Sequence, residues 1–315
     1  MDRPKLSVVI PIYNEEKSIH ELYRRLSYVL HTLCQHYELI FVNDGSQDAS
    51  SAMLMALAQQ DLKVKYITLS RNFGHQVAVT AGLNHAKGDR VVIIDGDLQD
   101  PPETIKDLYN KSLEGYEVVF AKRKHRPGES LFKLWTAKLF YRILTRITSI
   151  HVPVDTGDFR IIDHKVLNVL KQMPEQNKFL RGQISWIGFR QTYIEYDREV
   201  RKGGKSGYTL RKMFKFALDG ITSFSDFPLK LASVSGFMVS GVAFILMIYT
   251  LYAKLMLKDT VPGWASLMVS ILFLGGIQLI SIGIIGEYIS RIGADVRKRP
   301  LYIIDQSNIQ HKTSS

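Results

Sequence analysis

Asp95 and Asp97 stand at the end of the apolar run Val91-Val92-Ile93-Ile94, with only Gly96 between them. Side chains alternate along a strand, so residues two apart leave its end on nearly the same side. Two carboxylates so placed suit a hard divalent cation, Mg2+ or Mn2+, which takes a few carboxylate oxygens and completes its shell with substrate phosphates. The chemistry this points to is work on a nucleotide diphosphate. The bland account of the same residues is an acidic turn with two solvated carboxylates.

Positioning that pair requires a strand, and the chain supplies a series of them. Segments 6–11, 37–42, 64–69, 90–95 and 116–121 are apolar and short, whereas 15–33, 48–60, 74–86 and 103–114 carry helical spacing, as in Ile19, Leu22, Leu26, Val29 and Leu30. Asp48 is the expected N-cap of the second helix. Serial alternation of this kind predicts an α/β fold with a Rossmann-like, mostly parallel sheet that binds ligands beyond the carboxyl ends of its strands. Polar residues follow each strand there: Tyr13-Asn14-Glu15, Asp44, Arg71-Asn72, then Asp95 and Asp97 with Gln99 beyond. No G-x-G-x-x-G or P-loop follows any strand, so a metal would have to manage the diphosphate. The basic run 122–128, which includes Arg123, predicts a mobile loop, and 131–149 predicts a helix. Around Gly157, Asp155, Asp158 and Arg160 form either a candidate acceptor site or an ordinary loop-to-strand junction.

The remaining chain is built differently. Segments 231–253 and 260–286 contain no charged residue, and both exceed the ~20 apolar residues needed to cross a bilayer. Two crossings return the chain to its starting side. Arg211, Lys212, Lys215 and Lys230 before the first span, and Arg291, Arg297, Lys298 and Arg299 after the second, predict cytoplasmic termini and a cytoplasmic catalytic part. The N-terminus has no apolar stretch of a cleaved signal, and the single Cys34 fits a reducing compartment. With 41 Lys and Arg against 30 Asp and Glu, the net charge is +11. Much of that excess adjoins the first span, which favours lipid headgroups over nucleic acid. Residues 208–227 are amphipathic, as an interfacial helix or as one packed on the soluble domain. The expected division is 1–206 catalytic, 207–228 juxtamembrane, 229–290 two membrane helices and 291–315 a cytoplasmic tail.

Taken together, the segments VVIPIYNE (8–15), VNDGS (42–46), LSRNFG (69–74), DGDLQDPP (95–102), DTGDFR (155–160) and GKSGY (204–208) resemble the family-2 glycosyltransferases of the GT-A fold. They are similar in particular to the polyprenyl-phosphate glycosyltransferases, which include bactoprenol glucosyltransferases and dolichol-phosphate mannose synthase. The closing GEYISR (286–291) fits the bacterial subgroup with two membrane helices. The resemblance implies an inverting transfer of a sugar, glucose from UDP-glucose being the best single choice, to undecaprenyl or another polyprenyl phosphate. It implies nucleotide binding by Pro11, Tyr13, Glu15, Asp44, Arg71 and Asp95, and metal binding by Asp95, Asp97 and Gln99. Asp158 and Asp97 take the catalytic roles, with Asp158 as base or orienting group. Arg123, Arg160, Arg201, Lys205 and Ser206 meet the acceptor phosphate. Asn43, where the family often has Asp, and Lys205-Ser206-Gly207 depart from the usual pattern. A homo-oligomer is also implied. The rival expectations are a processive or oligosaccharide-extending membrane glycosyltransferase and a non-catalytic scaffold that senses sugar nucleotides.

Overall fold

The computed structural model describes residues 4–124, 156–199, 225, 227–252 and 263–309. The expected helix at 131–149, the amphipathic segment at 208–224 and the motif at 204–208 lie outside the described residues.

Among the described residues the strands are β1 (Leu6–Ile12), β2 (Tyr37–Asn43), β3 (Val64–Leu69), β4 (Arg90–Ile93), β5 (Val118–Arg123), β6 (Thr156–Asp163), β7 (Gln191–Tyr196) and β8 (Ile304–Ser307). They form a sheet in the order β7-β5-β6-β4-β1-β2-β3-β8. The pairings β1–β2, β1–β4, β2–β3 and β5–β7 are parallel, as the serial pattern predicts. The helices are α1 (Ile19–Leu33), α2 (Ser50–Gln60), α3 (His75–His85), α4 (Thr104–Leu113), α5 (His164–Gln172) and α6 (Leu180–Ile187), then α7 (Phe227–Tyr252) and α8 (Trp264–Arg297).

Because β1 and β2 are buried on both faces, their apolar residues serve two cores. Val8, Ile10 and Ile12 pack with Leu22, Leu26, Leu54 and Leu108 of α1, α2 and α4. Val9 packs on the other face with Ala78, Val79, Val166 and Ile184 of α3, α5 and α6. Helices thus cover both faces, the arrangement that leaves the strand ends as the accessible edge.

Two strands run against the rest. β6 lies antiparallel between β4 and β5, with Arg160 opposite both Ile93 and Phe120. Its reversed direction brings its first residues, Gly157 to Arg160, to the carboxyl end of β4. β8 is the larger departure from the expected domain division. It follows the second long apolar helix and pairs antiparallel with β3, Ile67 opposite Ser307 and Thr68 opposite Gln306. Residues expected to form a separate tail are therefore part of the catalytic sheet. Asn308 fastens them: Tyr66 N–H donates to its Oδ1 at 2.8 Å, and its Nδ2 donates to the Val64 carbonyl at 3.0 Å. Tyr302 and Ile304 pack against the core on the α3 side.

Both α7 and α8 have the length and apolar composition to cross a membrane. Phe237, Val269 and Leu279 stand among their exposed apolar side chains. With 34 residues, α8 is roughly 51 Å long, well beyond the ~30 Å of a hydrocarbon core. Its last turns reach the catalytic domain, where Gln176 N–H donates to Asp295 Oδ1 at 2.8 Å. Lys298 then turns the chain with a left-handed φ of 47°, and β8 begins six residues later.

A net hydrogen bond contributes ~0.5–1.5 kcal/mol, and Asn308 makes two to β3. Asn308→Ala is expected to destabilise the catalytic domain by about 1–3 kcal/mol in urea unfolding, with amide protection lost in β3 and β8. Unchanged protection at Tyr66 would show that this contact does not hold the strand.

Candidate active site

The β1–α1 and β2–α2 loops are joined through side-chain to backbone bonds in both directions. Asn14 N–H donates to Ser46 Oγ and Gln47 N–H to Asn14 Oδ1. Glu15 N–H donates to Ser50 Oγ, Glu16 N–H to Asp48 Oδ2, and Ala49 N–H to Glu16 Oε2. Asn14 adopts a left-handed φ of 56° to do this. Helix α1 consequently starts at Ile19 rather than Glu15, because residues 14–18 are spent on the loop. Asp48 acts just ahead of α2, where its Oδ1 accepts from Ser50 N–H at 3.0 Å.

Asp44 sits beneath this pair of loops, nearly fully buried. Its two oxygens accept from Phe73 N–H at 2.7 Å and Gly74 N–H at 3.0 Å, which fixes the β3–α3 turn. Burial pushes its pKa above the ordinary value, against the pull of those two amides. Gly45, with φ of 68°, lies so close to that turn that a Cβ would come within 2.5 Å of the Arg71 carbonyl carbon. Gly96 lies close to β1, where a Cβ would meet the buried Ile12 Cδ1 at 2.5 Å and the Pro11 carbonyl oxygen at 3.0 Å. The carbonyl of Gly96 accepts from the buried Ser18 hydroxyl at 2.7 Å, so α1 holds the acidic loop in place.

These elements enclose a cleft of about 480 Å3 lined by Pro11, Tyr13, Glu15, Asp44, Asn72, His75, Asp95 and Asp97, among others. Six of the expected site residues are thus brought together. Arg71 is not among the lining residues; it folds back, donating to the Asn72 carbonyl and stacking over Phe73. Gln99 is held through its backbone, its N–H donating to Asp97 Oδ1 at 3.1 Å and its carbonyl accepting from Glu199 N–H at 2.9 Å.

The donor set fits a divalent cation of the kind that leans on its substrate. Asp95 Oδ1 is buried without a hydrogen-bond partner, 3.6 Å from His75 Nε2. Among the described residues no three His, Cys, Asp or Glu side chains form a cage, so two carboxylates would share the ion with phosphate oxygens. Burial raises the Asp95 pKa to about 6, with His75 pulling it down and Asp100, Asp158 and Asp97 pushing it up.

Asp158 lies beyond Asp95 on β6, 8% exposed. Its Oδ1 accepts from Arg160 Nη2 at 3.1 Å and Arg181 Nε at 2.9 Å. Its Oδ2 meets His75 Nε2 at 3.0 Å and accepts from Gln76 Nε2 at 3.1 Å. Burial alone would raise its pKa, but Arg181, His75 and Arg160 outweigh that and hold it well below the carboxylate range. His75 shows the converse: burial lowers its pKa, and Asp95 and Asp158 raise it to about 9. Neither His75 nor Arg181 was among the residues expected from the sequence. His75 opens α3 directly after a strand-end turn, a position that could have marked it. Arg181 lies in the first turn of α6, far from any motif.

Two of the expected acceptor residues are engaged with carboxylates of the domain itself. Arg160 is 1% exposed; its guanidinium donates to Asp158 and to the Gly157 carbonyl. It braces Asp158 from inside and does not face the cleft, and burial lowers its pKa to about 10. The Arg123 guanidinium lies close to Gly157, where its Nε donates to the Tyr196 hydroxyl at 3.4 Å. That hydroxyl donates to the fully buried Asp100. Arg201, Lys205 and Ser206 lie outside the described residues.

Residues 7–170 match glycosyl transferase family 2, and 227–292 match the GtrB C-terminal hairpin. The chain belongs to glycosyl transferase family 2. This bears out the resemblance carried by the sequence motifs and the mostly parallel GT-A sheet with two long apolar C-terminal helices. The glycosyltransferase YkcC of Bacillus subtilis is 51% identical over 96% of this chain and 93% of its own. The bactoprenol glucosyl transferase of Shigella phage SfII is 41% identical over 96% of this chain and 98% of its own. Among solved structures, glucosyl-3-phosphoglycerate synthase from Mycobacterium tuberculosis, in complex with Mn2+, UDP-glucose and phosphoglyceric acid, aligns over 70% of this chain and 78% of its own. The TM-score is 0.48 and the identity 19%.

A cation must displace the proton that Asp95 retains below its raised pKa of about 6. Mn2+ affinity of this family-2 enzyme is therefore expected to be flat from about pH 7 to 8 and to weaken toward about tenfold per unit below pH 6. Calorimetric titration would read this, and an unchanged affinity at pH 5 would show that Asp95 holds no proton for the cation to displace.

Proposed function

We propose that this glycosyltransferase moves glucose from UDP-glucose to the phosphate of a polyprenol, undecaprenyl phosphate being the expected acceptor, on the cytoplasmic face of a membrane. The observation that carries this reading is the state of Asp158. A carboxylate that accepts from four donors and is held well below its usual pKa is a poor general base. A sugar hydroxyl would need such a base. A phosphate monoester does not, because its second pKa is ~6 and it arrives mostly as a dianion.

In the proposed step an acceptor phosphate oxygen attacks the anomeric carbon, the bond from that carbon to the UDP oxygen breaks, and UDP leaves with the electron pair. The configuration inverts. Pro11, Tyr13, Glu15 and Asp44 would hold the nucleoside over β1 and β2, and Asp95 and Asp97 would hold Mg2+ or Mn2+ with the diphosphate. Bound there, the ion would neutralise charge growing on the leaving group. Asp158 orients the cations around it and keeps its charge throughout.

The relationship to bactoprenol glucosyl transferases supports the lipid acceptor. So do the two helices long and apolar enough to cross a membrane. β8 pairs with β3 after both helices, which supports a hairpin that returns the chain to the side of the catalytic sheet. The basic residues flanking the spans support the cytoplasm as that side. Gly275 and Gly276 offer open helix surface on which a second copy would pack.

Incubating the purified protein with Mn2+, undecaprenyl phosphate and labelled sugar nucleotides tests the reading; label from UDP-glucose should enter the organic phase. Loss of one charge-stabilising group typically costs ~10²–10³ in kcat, and Asp97→Asn is expected to fall at least that far. Asp158→Asn should lose activity to the same degree at pH 6 and pH 8. Loss confined to pH 6 would restore the base role.

A further inference from the structure

We infer that His75 contacts a hydroxyl of the sugar carried by the donor, which makes it a specificity-determining residue; the inference rests on the UDP-sugar reading above. The strand order sets the geometry. Pro11 and Tyr13 belong to or follow β1, Asp44 follows β2, Asp95 follows β4, and Asp158 lies on β6, which neighbours β4 on the side away from β1. A nucleotide sugar carries its parts in line. With the nucleoside over β1 and β2 and the diphosphate at Asp95 and Asp97, the sugar lies further along, toward Asp158.

His75 stands across that interval. It opens α3 and lines the cleft, and its Nε2 is 3.6 Å from Asp95 Oδ1 and 3.0 Å from Asp158 Oδ2. Its side chain is 42% exposed, and a Cβ on the preceding Gly74, which also lines the cleft, would meet nothing within 4 Å. The other polar groups at this end are engaged. Asp158 accepts from Gln76, Arg160 and Arg181 and meets His75, which occupies both of its oxygens. Arg160 is buried, and Asp95 and Asp97 are given to the ion. A carboxylate only accepts, so Nε2 carries the proton it shares with Asp158, and among the described residues Nδ1 has no hydrogen-bond partner. A sugar hydroxyl suits that atom in either ionisation state, because it donates to a bare ring nitrogen and accepts from a protonated one. A phosphate oxygen without a proton suits only the second.

Two variants separate contact from support. In His75→Gln the amide reaches about as far as Nε2 and still donates to Asp158, but no polar atom stands at the place of Nδ1; in His75→Asn one does, and the side chain falls short of Asp158. Dissociation constants for UDP, UDP-glucose and the monodeoxy analogues of its sugar would be measured by calorimetry with Mg2+. In the wild type, loss of the hydroxyl that meets His75 is expected to weaken binding roughly tenfold. In His75→Gln the same analogue should bind within about twofold of UDP-glucose, whereas His75→Asn should keep the penalty. A merely structural His75 would weaken UDP and UDP-glucose together and leave the penalty in place in His75→Gln; that result overturns the proposal. A wild type that binds every monodeoxy analogue as it binds UDP-glucose overturns it as well. A measurement on the wild type removes dependence on folding of the variants. UDP-glucose should slow carbethoxylation of His75 by diethyl pyrocarbonate more than UDP does, read by peptide mass spectrometry, and equal rates with the two ligands would refute the contact. None of these measurements needs an acceptor. A wild type that binds UDP-glucose and transfers it to no lipid phosphate therefore sinks the functional reading, while the constants above still judge His75.

Discussion

A carboxylate taken out of water needs several strong donors, and the arrangement around Asp158 follows from meeting that need. Its partners come from three places in the chain: His75 and Gln76 from the start of α3, Arg160 from β6 itself, and Arg181 from the start of α6. Satisfying one buried charge thus fixes two helix starts and a strand end relative to one another. Asp95, just beyond the neighbouring strand β4, has the opposite environment. Its Oδ1 is left without a hydrogen bond and its pKa is raised. Adjacent carboxylates whose surroundings push them apart have separate tasks. In the proposed reaction Asp158 stays an anion that organises cations, and Asp95 would give up its proton to hold the metal.

The two halves of the cleft are stabilised by different means. On the nucleoside side, the loops after β1 and β2 exchange backbone and side-chain bonds, and Asp44 clamps the turn after β3. These are neutral or singly charged contacts that set shape. On the far side, ion pairs dominate, and they are reached only because β6 runs backwards between β4 and β5. A parallel strand in that position would have delivered its other end to the cleft. In the proposed function, the reversal lets a sheet whose strand ends would hold the nucleotide also present charge to a second substrate.

The nucleotide half was largely readable in the sequence. Period-two and helical spacings identify β1 to β5 and α1 to α4, and Tyr13, Glu15, Asp44, Asp95 and Asp97 stand where the strand-end rule puts them. The cation side was not. Arg160 and Arg123 look like phosphate contacts in one dimension because both are basic and adjoin motifs. The burial of Arg160 against Asp158 and the place of Arg123 beside Asp100 depend on pairing between strands far apart in the chain. Arg181 carries no local signature, since its importance comes from facing a carboxylate 23 residues away. β8 is short and polar, IDQS, with none of the apolar alternation that marks a strand. Its place is set by the exposed edge of β3 and by Asn308.

That last strand constrains how the enzyme is made. Until residues 304–307 emerge, β3 is an open edge with unpaired backbone groups, the kind of surface that recruits unwanted partners. Synthesis runs from the N-terminus, so everything between β3 and β8, both long apolar helices included, must leave the ribosome before the edge is sealed. The catalytic sheet is therefore finished only after the hairpin has been translated. A chain whose synthesis stops early, or whose second helix fails to bring its C-terminal end back to the same side, is left with a recognisable defect for cellular proteases to find.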